Sequence, residues 1–145
     1  MSEDNGAAPA PEPIQTPEGR WRIAITGYGQ VDPRTLHPNP LNWRTHGKQQ
    51  TDAIGASLDE LGWIDDIIVN TVTGHILDGH ARLERALAEG EPLVPVKYIE
   101  LSPEKEALAL VVFDPISSMA GAEVENLSAL MALASSDNET LSTLM

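Results

Sequence analysis

The stretch GHILDGHARLERALAEG, residues 74–90, decides how the rest of the chain is read. A strand-like pair, Ile76-Leu77, ends on Asp78-Gly79-His80. A helix-like run, 83–88, follows at once and closes on Gly90. Glycine past the last periodic residue is a helix stop, and an acid ahead of the first one is a good helix start. An acid, a glycine, a histidine and an arginine thus fall within five residues, where a strand gives way to a helix. The first N–H groups of a helix lack internal partners and carry the positive end of its dipole, so anions bind there. Gly79 lets the backbone approach a ligand, Arg82 could grip a phosphate bidentately, and His80 could donate to the same group. The local pattern alone favours a plainer account, in which Asp78 caps the helix and Arg82 is solvated.

Working outward, two short strands over 67–70 and 75–77 precede this helix, joined by a turn at Thr73-Gly74. A helix over 48–61 lies before them, with Ala53, Ile54, Ser57, Leu58 and Leu61 on one face and Gly62 as its stop. A first strand is expected over 21–26. Between it and that helix runs GYGQVDPRTLHPNPLNWRTHG, whose three prolines exclude a helix. This segment presents His37, Asn42, Trp43, Arg44 and His46. Asn42 and Arg44 are good anion ligands, and long loops of this kind are often functional. His37 and His46 stand nine apart with no carboxylate pattern between them, which supports a metal only weakly.

After Gly90 a strand over 93–101 is expected, at an edge or from a bulge because of Pro95. Ser102-Pro103 opens a helix with a capping serine and a first-position proline. It should run to about residue 113, where Asp114-Pro115 breaks it. A last amphipathic helix is expected over about 122–134. Asp65-Asp66 read as solvated turn acids, since neighbours entering a strand point to opposite sides.

The order of elements predicts a small α+β domain with a mixed sheet over residues 20–113. An acidic, proline-rich leader over 1–19 precedes it, and a short helical extension with an acidic tail follows over 114–145. The 145 residues are 41% hydrophobic but only 4% aromatic, so the core must be largely aliphatic. The absence of cysteine excludes a disulfide framework, a thiolate metal site and a cysteine nucleophile. No apolar run approaches the ~20 residues needed to span a bilayer, and the expectation is a soluble, cytoplasmic protein. Net charge is −13, but the leader holds four acids and the last 32 residues five, with no base in either, leaving the middle at −4. Even that middle lacks the basic surface that duplex binding needs.

Taken in order, LHPNPLNWRTH, AIGASLDELGWIDDIIVN, GHILDGHARLERALAEG and VPVKYIELSPEKEALAL resemble the N-terminal domain of the ParB/sulfiredoxin superfamily across about residues 31–113. The likeness leans toward members from phages, mobile elements and DNA methyltransferases. It implies a compact α+β fold holding a nucleotide between the loop and the strand–helix turn. Gly79, His80 and Arg82 would face the phosphates, with Arg44 and Asn42 reaching from the loop. In the partition branch the nucleotide is CTP and drives clamp closure on DNA. In the free-serine-kinase branch the nucleotide is a phosphoryl donor, and a second histidine stands where this chain has Ala81. The sulfiredoxin branch needs a cysteine at the position of His80. Partition proteins also carry a helix-turn-helix domain that has no counterpart here.

The resemblance therefore implies a nucleotide-binding module, with CTP or ATP and magnesium as the cofactors to consider, acting as an accessory to DNA transactions. Nucleic acid would be engaged indirectly or through a partner domain, no membrane is implied, and a homodimer is compatible. Two alternatives stay open. One is an enzyme on the same scaffold (an NTPase, a small-molecule kinase or a nuclease) with Asp78 as base or metal ligand. The other is an acidic interaction protein that keeps the fold without a ligand.

Overall fold

The computed structural model describes residues 19–42, 45, 47–118, 130, 132 and 133. All of the expected leader but Gly19 lies outside them, as do Trp43, Arg44 and His46 and nearly all of the expected helix at 122–134. In chain order the elements are β1 (Ile25–Val31), a short 3-10 turn (Pro33–Thr35), α1 (Lys48–Leu61), β2 (Ile67–Asn70), β3 (Ile76–Asp78), α2 (His80–Glu89), β4 (Val94–Ile99) and α3 (Pro103–Ser118). The strands form one sheet in the order β1-β4-β2-β3. β1 runs antiparallel to β4, β4 parallel to β2, and β2 antiparallel to β3. The domain is the expected α+β fold with a mixed sheet.

Strand alternation sorts side chains onto two faces. Ile67, Val69, Ile76, Val94 and Val96 point to one face, where Leu83 and Ala86 of α2 cover them. α2 can do this because its inward positions, Ala81, Leu83 and Ala86, are small or aliphatic and buried, while its charges lie elsewhere. α1 packs on α2 as an outer layer. Gly55 of α1 leaves room for the Arg85 side chain: a Cβ there would stand 2.6 Å from its guanidinium. On the other face, Leu77 and Ile99 meet Ala109 and Leu110 of α3. The core is aliphatic, in keeping with the composition.

Three boundaries differ from the sequence reading. β1 begins later and runs to Val31, through Gly27 and Gly29, because the ladder to β4 supplies what those glycines cannot. β4 lies inside the sheet, not at its edge. Pro95 is tolerated because pairing with β2 begins only at Val96, so its missing N–H interrupts no bond on that side. α3 continues through Asp114-Pro115 to Ser118 instead of ending near 113. Its start is as expected, with the Lys105 N–H donating to Ser102 Oγ at 3.2 Å.

Ile67 has no exposed surface and sits at the centre of the α2-side core. Ile67→Ala should lower stability by about 3 kcal/mol. A lower urea midpoint with an unchanged slope is the expected result.

Candidate functional site

The strand–helix turn is built on Gly79. Its φ is +100°, in the left-handed region that disfavours side chains, and it is the N-cap of α2. A Cβ at this position would come within 3.0 Å of Ile67 Cγ1 and 3.2 Å of its Cα. Both conformation and space therefore require glycine. Asp78, read as the cap from sequence, is instead the last residue of β3, and the N-cap position falls to Gly79, which has no side chain to give the helix. Asp78 turns toward Arg82, with Oδ2 3.7 Å from Nη2.

Arg82 stands in the first turn with its side chain 23% exposed. Nη2 donates to the Asp66 carbonyl at 2.8 Å, and Nη1 lies 3.7 Å from Asp65 Oδ2. Nε is buried without a hydrogen-bond partner. The guanidinium is thus oriented by one backbone carbonyl and loosely neutralised by two partly exposed carboxylates. Ion pairs at such distances and exposures contribute little. Beside it opens a cleft of about 370 Å³, lined by Ala53, Ile54, Ser57 and Leu58 of α1, by Ile64 and Asp65, and by Arg82. The α1 wall is largely apolar, and Arg82 and Asp65 supply the charged groups of the lining.

His80 does not face this cleft. It is 6% exposed, and its Nε2 accepts a hydrogen bond from the Asn39 N–H at 3.0 Å. A ring nitrogen that accepts from an amide carries no proton, so the ring is the neutral Nδ1–H tautomer. Nε2 is therefore not a donor to an anion, while the backbone N–H of His80 stays in the first turn of α2. Asn42 follows in the same loop, where its N–H donates to the Asn39 carbonyl at 3.1 Å. Arg44 lies outside the described residues. Asp65 is an exposed turn acid as expected, while Asp66 stands 3.7 Å from Lys97 Nζ.

A second constellation escaped the sequence reading. Among the described residues, the buried polar side chains are Asn39, Asn70, His80 and Glu106, and hydrogen bonds link all four through one network. Glu106 of α3 is its centre. Oε1 accepts from Asn70 Nδ2 at 2.8 Å and Thr73 Oγ1 at 2.5 Å. Oε2 accepts from Asn39 Nδ2 at 3.0 Å and faces His75 Nδ1 at 3.4 Å. Every lone-pair site of the carboxylate is engaged. Burial raises the Glu106 pKa, but hydrogen bonds from Thr73, Asn70, His75 and Asn39 outweigh it and hold the group below its ordinary value of 4.5. One signal was present in the sequence: Asn70 ends the buried run Ile67-Ile68-Val69, where a polar side chain must find partners.

No family model and no curated protein matches the chain. Among solved structures, it is similar to the C-terminally truncated chromosome-partitioning protein ParB from Caulobacter crescentus in complex with CTP-γ-S. That match has a TM-score of 0.52 at 24% identity, over 67% of this chain and 55% of that one. A Pnob8-like ParB-N domain gives a TM-score of 0.46 at 18% identity, over 59% and 34% of the two chains. The chain spans little more than half the length of the Caulobacter protein. It has a ParB-like fold. Among the described residues no helix is long and apolar enough to cross a membrane, and no group of three or more His, Cys, Asp or Glu side chains could hold a metal.

Two outcomes follow from this geometry. Glu106→Gln replaces an acceptor with an amide that turns an NH₂ against two donors, and should cost about 2–4 kcal/mol at neutral pH. Because the folded-state pKa lies below 4.5, the carboxylate contributes stability above that pH and loses it as pH falls through the folded value. The gap between wild type and variant should therefore narrow below pH 4.5 in denaturation series, with Gln as the pH-insensitive reference. Gly79→Ala should lower stability by about 2 kcal/mol from backbone strain and the contact with Ile67, read from the thermal midpoint.

Proposed function

We propose that the chain is a nucleotide-binding module that takes the phosphates of a nucleoside triphosphate on the first turn of α2. The observation that carries this is the pairing of a helix start led by a glycine, whose N-cap position supplies no side-chain hydrogen bond, with Arg82 in the first turn. Oriented amides and a helix dipole favour an anion there, and a guanidinium beside them supplies bidentate donors. Gly79, His80 and Arg82 hold the phosphates, His80 through its backbone, while Asn42 and Arg44 reach from the loop. The apolar wall of α1 beside Arg82 offers a surface for the rest of the ligand. The Caulobacter protein of like fold was solved with a CTP analogue, which makes CTP the first nucleotide to test and ATP the second.

Asp65 and Asp78 oppose a bare polyanion near Arg82, so magnesium arriving with the triphosphate would offset repulsion at this end of the site. Asp78 is the carboxylate best placed to meet such an ion, and is the catalytic candidate if turnover occurs. The role in the cell that fits such a module is an accessory to DNA transactions in a phage or mobile element. The acidic chain would reach nucleic acid through a partner.

Calorimetric titration of the chain with CTP, ATP, ADP and GTP, with and without magnesium, tests this. Saturable binding that Arg82→Ala weakens by about tenfold or more is the expected result, the loss of a charge-assisted bidentate contact. Magnesium-dependent turnover abolished in Asp78→Asn, with binding retained, would make the module an enzyme. No binding to any of the four would overturn the reading and favour an acidic interaction protein.

A further inference from the structure

The Glu106 network reaches the first turn of α2 through a single residue. Asn39 is 4% exposed and commits all four of its polar groups. Nδ2 donates to Glu106, its N–H donates to His80 Nε2, Oδ1 accepts from the Leu41 N–H at 2.9 Å, and its carbonyl accepts from the Asn42 N–H. Pro38 and Pro40 flank it and restrict the backbone on either side. Just upstream, the His37 carbonyl accepts from the Ile76 N–H at 3.0 Å, so the loop runs beside β3 as it approaches. Asn42 lies three residues beyond Asn39 and is tied to it by the backbone hydrogen bond to the Asn39 carbonyl.

We infer that Glu106 is a positioning residue for the nucleotide site: by holding Asn39, it fixes the loop through Asn42 against the start of α2. The inference rests on the reading of that helix start as a nucleotide site. Glu106 itself touches no ligand, since its carboxylate is already filled by protein donors. The other donors are Asn70 at the end of β2 and Thr73 and His75 in the turn before β3; of these His75 meets the loop, but at His37, upstream of Asn39. Thr73 and Asn39 each give the carboxylate one hydrogen bond, yet only Asn39 continues toward Asn42.

That asymmetry separates positioning from general stability. In calorimetric titrations of the full chain with CTP, Asn39→Ala should weaken binding by about tenfold. Thr73→Val, which removes a donor from the same oxygen pair, should change it by less than about twofold despite lowering the thermal midpoint. Equal weakening by both variants, or no change with Asn39→Ala, would overturn the inference. Amide hydrogen exchange without ligand gives an independent readout. In Glu106→Gln, the Asn39 and Leu41 amides should exchange about tenfold faster while Leu83, bonded to the Gly79 carbonyl within α2, keeps its protection. Unchanged protection at Asn39 and Leu41 would overturn the anchoring. Should Glu106→Gln fail to fold, Asn39→Ala carries the readout at the residue-39 amide, whose bond to His80 Nε2 the substitution does not itself remove. Absence of CTP binding by the wild type together with fast exchange at Asn39 in Glu106→Gln would sink the nucleotide reading and leave the anchor standing.

Discussion

A carboxylate taken out of water must either be surrounded by donors or give up its charge. Glu106 is surrounded, two donors to each oxygen, and those donors come from four places in the chain: Asn39 in the loop, Asn70 at the end of β2, Thr73 in the turn and His75 before β3. The arrangement fixes segments that hydrophobic packing alone would hold poorly. The β2–β3 turn is polar, and the loop between β1 and α1 has almost no regular structure. Asn70 doubles the tie by exchanging hydrogen bonds with the backbone of Leu101, just ahead of α3. Removing the carboxylate leaves several donors buried without acceptors, which is why one side chain at the rim of the α3-side core governs so much.

The α2 side depends on a different constraint. The chain must leave β3 and enter a helix without the width of a side chain between the turn and Ile67, and Gly79 alone allows it. The close approach that packs the helix on the sheet also puts a residue without a side chain at its N-cap. Arg82 then occupies a place where its charge is oriented by the Asp66 carbonyl and only loosely met by Asp65 and Asp78. Packing necessity and anion chemistry converge on the same four residues, 79–82. Function resides in the site and not in the fold.

Much of the architecture was legible in the residues. The helix over 48–61, with Gly62 as its stop, and the helix closing on Gly90 carry strong periodic and terminal signals. The run Ile67-Ile68-Val69 reads as a buried strand. β1 was harder, because Gly27 and Gly29 weaken it as an isolated segment and its stability comes from pairing with a strand some seventy residues away. Pro95 misled for a similar reason: where in the sheet its missing N–H falls depends on register, which is a tertiary fact. The turn at Asp78-Gly79-His80 was legible as a place but not in its details. Nothing local says that Asp78 would leave the cap to Gly79, or that the His80 ring would turn inward. The Glu106 network was not legible, since its members are scattered from residue 39 to residue 106 and each has an ordinary surface role in isolation.

The most direct test of the central claim is a backbone-amide NMR titration of the isotope-labelled chain with CTP and magnesium. The account predicts that the amides of Gly79, His80, Ala81 and Arg82 move furthest and saturate together. Shifts that saturate elsewhere on the domain while these four stay still would contradict it.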